Sequence, residues 1–300
     1  MSDFWKPSAW SNGDNNARPS SDRMSYLRNA MRDLLTYEEL ELLPAGFDRV
    51  GHIVVLNLPR VLTSKSEKIA RAMLNIKGVR TVAVRTKPIT GRERKPNLKV
   101  IAGAQMTETL HKEHGCVFKL DVAEVMFSAG NIFERARTAK LVRPGEVIVD
   151  MFAGVGQFSI PIAKHAKPKK VYAMEFNEVA HRYLRENIRL NYVGHIVEPR
   201  LGDCAKVAPL GVADRVIMGM LHVTHEYLPL AMRALKPSGG VIHYHESVPS
   251  KLRFERPIKR ITEAAEGRDF EILSQRVVKR YAPGVDHVVI DARIGPKLKG

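Results

Sequence analysis

The stretch Asp150-Met151-Phe152-Ala153-Gly154-Val155-Gly156-Gln157-Phe158 follows a short apolar run and precedes a helical pattern. Glycine lets the backbone turn tightly and approach a ligand closely, and the start of the following helix presents free N–H groups. We therefore predict that Asp150, Gly154 and Gly156 belong to a ligand-binding turn between a strand and a helix. Many α/β proteins contain such a turn, so its surroundings decide its meaning.

Strands and helices alternate regularly on both sides of this turn, and alternation of this kind predicts a doubly wound, mostly parallel sheet. Strands are predicted at Val147–Asp150, Lys170–Phe176, Ile196–Leu201, Arg215–Met220 and Gly240–His245, and helices at Phe158–His165, Asn177–Leu190 and Glu226–Leu235. Two further strands, Glu271–Tyr281 and His287–Ile294, follow each other closely enough to form a hairpin. An α/β fold whose mostly parallel sheet is closed by a C-terminal hairpin is the Rossmann-like class I methyltransferase layout.

The N-terminal part of the chain is predicted to have a different arrangement of helices and strands. Its patterns predict a helix over Met24–Leu43, a strand at His52–Leu56, a helix at Ser64–Leu74, a strand at Val79–Val84 and a loop from Lys87 to Lys99. We therefore expect a disordered tail at 1–22, a smaller α+β domain at 23–115 and the catalytic domain at 116–300, in which Val117–Arg137 is the connecting segment.

The positive charge of the chain is concentrated in that smaller domain. Lys and Arg number 48 against 32 Asp and Glu, so the formal net charge is +16 over 300 residues. Residues 51–100 hold twelve of the basic residues and only Glu67 and Glu93 as acids. Such a concentration predicts a polyanionic partner. We expect the smaller domain to bind RNA, with Arg92, Arg94 and Lys95 among the contacts.

The remaining composition narrows the class of protein. Cys116 and Cys204 are the only cysteines in the sequence, too few for a disulfide framework or a cysteine-based zinc site. No apolar run approaches the length of a membrane span, and the N-terminus has no signal-peptide pattern. We expect a cytoplasmic protein without a membrane or metal association, and nothing in the sequence indicates an obligate protein partner.

Two acids extend the binding site predicted at the glycine turn. Glu175 ends the next predicted strand, about 20 residues after the glycines, where an acid accepts hydrogen bonds from ribose hydroxyls. Asp203 follows the third strand, within reach of the exocyclic amine of an adenine. The sequence lacks both a Gly-Lys-Ser/Thr phosphate loop and the third glycine of a dinucleotide turn, which disfavours nucleotide triphosphates and NAD as the ligand. The cofactor predicted from this pattern is S-adenosylmethionine.

Several stretches together resemble the family of tRNA guanine-N1 methyltransferases and wybutosine-synthesis enzymes. They are Phe127-Ser128 through Glu134-Arg135-Ala136-Arg137, the glycine turn, Asp214–Gly219, His243-Tyr244-His245-Glu246 and Lys279–Gly284. The last three are similar to the archaeal branch that transfers a 3-amino-3-carboxypropyl group to 4-demethylwyosine beside the anticodon of tRNA(Phe). The resemblance runs from about Gly51 to the C-terminus.

The resemblance implies a set of cofactor contacts and a choice of chemistry. The implied contacts are Ser128, Arg135, Glu175, Asp203 and Cys204, and the cysteine departs from the polar residue common there, which leaves its backbone N–H available. Arg135 is expected to pair with the carboxylate of the methionine arm, whereas Ser128 is equally consistent with a helix cap. The methyltransferase branch carries Asn-Leu-Pro or Asn-Pro-Pro after the fourth strand. This chain has Met218-Gly219-Met220 there, which favours aminocarboxypropyl transfer.

The sequence leaves open two alternative functions and the role of one group of residues. The alternatives are guanine-N1 methylation and a non-catalytic RNA-binding protein that keeps the fold. The residues are four histidines, His222, His225, His243 and His245. They have three interpretations: contact with the RNA, acceptance of a proton after attack, or packing in the wall of the cleft. No catalytic base follows from the sequence.

Overall fold

The computed structural model describes residues 27–44, 46–87, 91 and 94–297. The expected tail at 1–22 and the predicted RNA contact Arg92 lie outside the described residues. The chain divides into two compact units, Met1–Ile132 and Phe133–Gly300, and each is described by itself below.

The described part of the first unit begins with two short helical segments where the sequence pattern predicted one helix. A helical segment covers 27–31, and helix α1 covers Tyr37–Glu41. The break falls at Thr36, whose side chain accepts the N–H of Glu39 at 3.4 Å while the Glu39 carboxylate accepts the N–H of Thr36 at 2.9 Å. This reciprocal capping box starts a new helix, so the prediction of one continuous helix was wrong.

A four-stranded sheet forms the centre of the first unit, in the order β1-β2-β3-β4. Its strands are β1 Asp48–Val50, β2 Ile53–Leu56, β3 Thr81–Lys87 and β4 Asn97–Gly103, and helix α2, Ser66–Met73, connects the parallel pair β2 and β3. The predicted loop over Lys87–Lys99 was too long, because β4 begins at Asn97. It pairs antiparallel with β3 and so satisfies the backbone of what would be an open edge.

A second hairpin in the first unit occupies a region whose strands the sequence patterns did not predict. Strands β5, Glu108–Glu113, and β6, Cys116–Asp121, pair antiparallel. The inward-facing residues of β5 are Thr109, His111 and Glu113. Their polarity conceals the alternation by which a strand is usually recognised. Burial is possible because Thr109 and His111 accept the backbone N–H groups of His52 and Gly51.

The second unit is built on a seven-stranded sheet in the order β12-β13-β11-β10-β7-β8-β9. Neighbours from β9 to β11 are parallel, and β13 runs antiparallel to β11 and β12. The strands are β7 Val147–Asp150, β8 Lys170–Glu175, β9 Val197–Leu201, β10 Arg215–Met218, β11 Gly240–Pro249, β12 Phe270–Ala282 and β13 Val285–Ile294. This arrangement confirms the predicted class I methyltransferase fold.

The helices of the second unit are α3 Ile132–Leu141, α4 Ser159–Ala166, α5 Glu178–Leu190, α6 Cys204–Val207, α7 Leu228–Ala234 and α8 Glu255–Ala264. Helix α3 precedes β7, and the other helices of the second unit alternate with its strands. In the part of the chain that the structure describes, none of the helices combines the length and apolar character needed to cross a membrane. Because β7, β8, β9 and β10 are parallel, their carboxyl ends lie along one edge of the sheet, where ligands bind in folds of this kind.

Candidate functional site

The first element of the candidate site is Asp150, the last residue of β7. Its side chain is fully buried, and its two oxygens accept hydrogen bonds from the Ser159 hydroxyl at 2.6 Å and the Phe152 N–H at 3.3 Å. Burial, with a smaller contribution from Glu175, raises the pKa of Asp150 to about 6. The carboxyl group therefore braces the glycine turn against the first turn of α4, and a direct cofactor contact by Asp150 stays a prediction.

Both glycines of the turn have backbone angles that other residues rarely adopt. Gly154 has a φ of +56° and Gly156 a φ of +96°. A Cβ at Gly156 would lie 2.5 Å from Cδ1 of Ile160, so packing as well as conformation requires glycine. A Cβ at Gly154 would meet only the Gln157 amide nitrogen, at 3.4 Å. Other side chains therefore pack against the turn at Gly156, whereas space remains beside Gly154, where a ligand can approach the backbone.

Glu175 ends β8 directly beside this turn. Its Oε2 accepts the N–H of Gly154 at 2.7 Å, and its Oε1 accepts the N–H of Asn177 at 2.8 Å. Burial raises the pKa of Glu175 above its ordinary value, against the hydrogen bonds that favour the carboxylate. Each carboxylate oxygen can accept more than one hydrogen bond. Glu175 can therefore hold the turn and still receive a ribose hydroxyl.

The third predicted acid lies at the carboxyl end of β9. Asp203 caps helix α6, and its Oδ1 accepts the N–H of Ala205 at 3.0 Å. The neighbouring Cys204 thiol is buried among apolar side chains, and burial followed by the charge of Asp203 raises the pKa of Cys204 to about 12. The thiol is thus directed into the core, which is consistent with a role for the Cys204 backbone alone.

Arg135 and Ser128, the two contacts implied by resemblance, have different surroundings. Arg135 is almost completely buried on α3, and its Nη1 donates to Oε1 of Gln157 at 3.4 Å. The structure therefore brings Arg135 to the glycine turn. Ser128 belongs to the first unit, where it precedes a short 3₁₀ turn without forming a side-chain capping bond. Cofactor contacts by Arg135 and Ser128 stay predictions.

The position after β10 is closed by an aromatic ring. A Cβ on Gly219 would lie 2.8 Å from Cε2 of Phe158, the last residue of the glycine turn. The Phe158 ring in turn packs edge-on against His245, with ring centres 5.5 Å apart. A side chain at 219, and therefore an amide, does not fit unless Phe158 moves. The departure at Met218-Gly219-Met220 is thus part of a packed wall.

A buried charge network that sequence reasoning missed holds α3 against the sheet. The Arg137 guanidinium bonds to Glu134 and Asp291, each at 2.6 Å. His243 bonds to Asp291 at 2.5 Å through Nδ1, and its Nε2 lies 2.7 Å from an Arg215 nitrogen, so Nε2 accepts and Nδ1 donates. Burial lowers the pKa of His243 in spite of Asp291. The network anchors the helix that carries Arg135.

Two further groups of buried, hydrogen-bonded side chains include residues of the His243–Glu246 stretch. His245 Nδ1 lies 3.0 Å from Nε2 of His287, and both rings are buried. Glu246 accepts the Tyr244 hydroxyl at 2.7 Å and the Arg256 Nε–H at 2.7 Å, and so joins β11 to α8. The burial of His243, His245 and Glu246 favours the packing interpretation for these residues.

The other two histidines lie in the loop after β10. His222 bonds to Tyr281 and Ser247, and His225 Nδ1 donates to the His222 carbonyl at 3.1 Å. Throughout the described residues, no group of three or more His, Cys, Asp or Glu side chains is arranged to hold a metal ion.

The predicted RNA contacts belong to the first unit. Lys95 is exposed and forms an ion pair with Glu124 at 2.9 Å. Arg94 directs its Nε toward the Met126 sulfur at 3.2 Å. An exposed ion pair of this kind contributes little and is readily exchanged for a phosphate. RNA binding by this surface stays a prediction.

Comparison with known proteins shows which protein family the chain resembles. Residues 109–273 match the model of the TRM5/TYW2 methyltransferase domain, and residues 27–107 match that of the TYW2 N-terminal domain. The tRNA(Phe) (4-demethylwyosine(37)-C(7)) aminocarboxypropyltransferase of Methanocaldococcus jannaschii is 45% identical, over 82% of this chain and 97% of its own length. The tRNA (guanine(37)-N(1))-methyltransferase Trm5b of Pyrococcus abyssi is 39% identical, over 91% of this chain and 82% of its own.

A solved structure extends the likeness to three dimensions. The M. jannaschii TYW2 structure in complex with AdoMet has a TM-score of 0.66 and 42% identity, and it covers 84% of this chain and 100% of that one. Sequence identity at this level over most of both chains is decisive for membership. The chain therefore belongs to the TRM5/TYW2 methyltransferase-domain family.

Proposed function

We propose that this chain transfers the 3-amino-3-carboxypropyl group of S-adenosylmethionine to C7 of 4-demethylwyosine, next to the anticodon of tRNA(Phe). The relative from M. jannaschii that bears the name of this reaction is similar along almost its full length. The same resemblance supports tRNA as the substrate and the cytoplasm as the place of the reaction, and the proposal includes no obligate protein partner.

The residues at the carboxyl edge of the sheet fit an S-adenosylmethionine molecule. In this proposal the glycine turn of Gly154 and Gly156 accommodates the cofactor on its open side at Gly154, Glu175 binds the ribose hydroxyls and Asp203 binds the adenine amine. Arg135, Ser128 and the Cys204 N–H would complete the contacts. The cofactor supplies a sulfonium whose attached carbons are open to displacement, and orientation selects which carbon is attacked.

The observation that carries the choice of chemistry is the contact between Gly219 and Phe158. The ring occupies the space that a side chain at 219 would need, since a Cβ there would lie 2.8 Å from Cε2. An amide after the fourth strand, which the resemblance associates with base positioning in the methylating branch, would fit only if the Phe158 ring moved. The Phe158 ring fills the space where the amide would lie, and the cofactor-binding residues Gly154, Gly156 and Glu175 are all present. The absence of the amide is therefore consistent with a different reaction of the same cofactor and not with loss of the site.

The test is the identity of the spent cofactor. The protein is incubated with S-adenosylmethionine and tRNA bearing 4-demethylwyosine, and in a second arm with tRNA bearing unmodified guanosine. We expect methylthioadenosine in the first arm, with the added aminocarboxypropyl mass on the tRNA. Adenosylhomocysteine as the main product would establish methylation instead. No product in either arm would favour the non-catalytic alternative.

A further inference from the structure

The loop after β10 holds one histidine in an unusual backbone conformation. His222 has a φ of +75°, a region that costs a residue other than glycine roughly 1–3 kcal/mol and that clusters at functional sites. The surrounding side chains fix this conformation. His222 Nε2 lies 2.9 Å from the Tyr281 hydroxyl, and Nδ1 lies 3.1 Å from the Ser247 hydroxyl. Three separate elements, the loop, β11 and β12, thus converge on one imidazole.

These residues lie at the carboxyl edge of the sheet. Met218, the last residue of β10, pairs with Tyr244 of β11, so Ser247 stands beyond the end of β10 on the ligand-binding side. The β12 strand reaches the same level, because Arg280 and Val248 both pair with Asp286 of β13. The His222 group therefore shares its edge of the sheet with the glycine turn.

The imidazole and the phenol remain accessible from outside. His222 is exposed, and Tyr281 keeps 40% of its surface exposed. Their rings meet edge to face, with centres 5.2 Å apart. The buried His243 and His245, in contrast, have no surface to offer. Unlike the two buried histidines of β11, His222 is thus placed both to meet a nucleobase and to exchange a proton.

We propose that Tyr281 and His222 form a relay that accepts the proton released from C7 of the acceptor base. The proposal rests on the proposed function. As the new bond forms between C7 and the transferred carbon, the carbon–sulfur bond breaks and its electron pair remains on the sulfur of methylthioadenosine. The C7 proton then leaves to the Tyr281 oxygen, and the C–H pair restores the double bond of the ring. Tyr281 passes its own hydroxyl proton to His222 Nε2.

The three side chains have distinct parts in this relay. A phenol hydroxyl is a weak base by itself, whereas a neutral imidazole accepts protons near neutral pH. Tyr281 presents the oxygen to the base, and His222 takes up the proton. In the tautomer that the relay requires, Nδ1–H of His222 donates to the Ser247 hydroxyl at 3.1 Å, which leaves the lone pair of Nε2 facing the phenol. Ser247 is a positioning residue, while Tyr281 and His222 are catalytic residues.

The experiment compares His222→Gln and Tyr281→Phe with matched substitutions at the opposite edge of the sheet. His195→Gln and Tyr192→Phe change an exposed histidine and an exposed tyrosine in the turn between α5 and β9. We expect the turnover number for methylthioadenosine release to fall by roughly 10²-fold or more in the relay variants, as for loss of a general base. The KM for tRNA and the calorimetric affinity for S-adenosylmethionine should stay unchanged, and the matched variants should behave as wild type.

Two further measurements separate proton transfer from a structural role. Deuterium at C7 should slow the Tyr281→Phe variant more than the wild type, because proton loss becomes rate-limiting. Added imidazole should partly restore His222→Ala. Suppose that the wild type releases methylthioadenosine, and that the relay variants are either unaffected or defective only in KM or in cofactor affinity. This result would overturn the relay and leave the proposed function standing. Release of adenosylhomocysteine by the wild type would overturn the proposed function, and the relay with it.

Discussion

The carboxylate of Glu175 accepts the backbone N–H of Gly154 at 2.7 Å, and so joins the end of β8 to the turn that follows β7. The same carboxylate accepts the N–H of Asn177 at the start of α5. One side chain thus sets the distance between two strand ends and the helix that follows. A residue that binds the ribose from this position also maintains the shape of the site.

We expect Glu175→Ala to weaken S-adenosylmethionine binding by about 1.5–3 kcal/mol, since the substitution removes a charged acceptor for hydrogen bonds. Isothermal titration calorimetry measures the change. Glu178→Ala is the matched control, because it removes an exposed carboxylate three residues further along the same chain segment. Equal affinities for the Glu175→Ala and Glu178→Ala proteins would remove Glu175 from the cofactor site.

Gly156→Ala should destabilise the second unit through a steric clash as well as through backbone strain. The new Cβ would lie 2.5 Å from Cδ1 of Ile160, at a φ of +96°. Gly211→Ala is the control, because its φ is +70° and no atom lies within 4 Å of the new Cβ. We expect a decrease of about 1–2 kcal/mol in unfolding free energy for Gly211→Ala and a larger decrease for Gly156→Ala, measured by denaturant titration.

The clash component can be isolated with a second substitution. Ile160→Val removes the Cδ1 atom and leaves Cγ1, which would lie 2.8 Å from the new Cβ, so we expect Gly156→Ala to cost less stability in the Ile160→Val background than in the wild type. An equal cost of Gly156→Ala in the two backgrounds would show that the contact with Cδ1 has no part in the need for glycine.

Replacing Arg92, Arg94 and Lys95 with alanine should weaken tRNA binding and flatten its dependence on salt. Each side chain that no longer binds a phosphate lowers the slope of log K against log salt concentration by up to about 0.9. Filter binding across a range of salt concentrations provides the slope. The control replaces Arg182, Arg185 and Arg189, three exposed arginines on α5, and so removes the same charge elsewhere. Equal slopes for the two triple variants would mean that the basic segment has no special part in binding.

The buried histidine pair should make stability depend on pH below neutrality. Burial, then His243, lowers the pKa of His245 to about 3, and burial, then His245, lowers the pKa of His287 to about 2. In the unfolded chain both titrate near 6.5. The unfolded state therefore binds more protons between these values, so the free energy of unfolding falls as the pH drops below about 6.5.

Denaturant titrations between neutral and mildly acidic pH measure this dependence. Each histidine contributes a slope of up to about 1.4 kcal/mol per pH unit within that window. We expect His287→Gln to reduce the slope whatever its effect on stability at neutral pH, and His195→Gln, at an exposed histidine, to preserve it. An unchanged slope in the His287→Gln protein would show that the pair does not resist protonation.

The sequence by itself determined the features that depend on neighbouring residues. The glycine turn, the acid at the end of β8 and the alternation of strands and helices are local patterns, because turn conformation and amphipathic periodicity act over a few residues. The C-terminal hairpin was predictable for the same reason. The insertion of β13 between β11 and β12 was not, since the order of strands in a sheet is a contact between distant segments.

Only the tertiary structure decided which polar side chains meet. Arg137 and Asp291 are 154 positions apart, and His222 and Tyr281 are 59 apart. Nothing local marks such residues as partners, because a buried ion pair or a strained loop is stable only when the whole fold surrounds it. The strand β5 was missed for a related reason. Its inward side chains are polar, and only the partners supplied by other strands make their burial favourable.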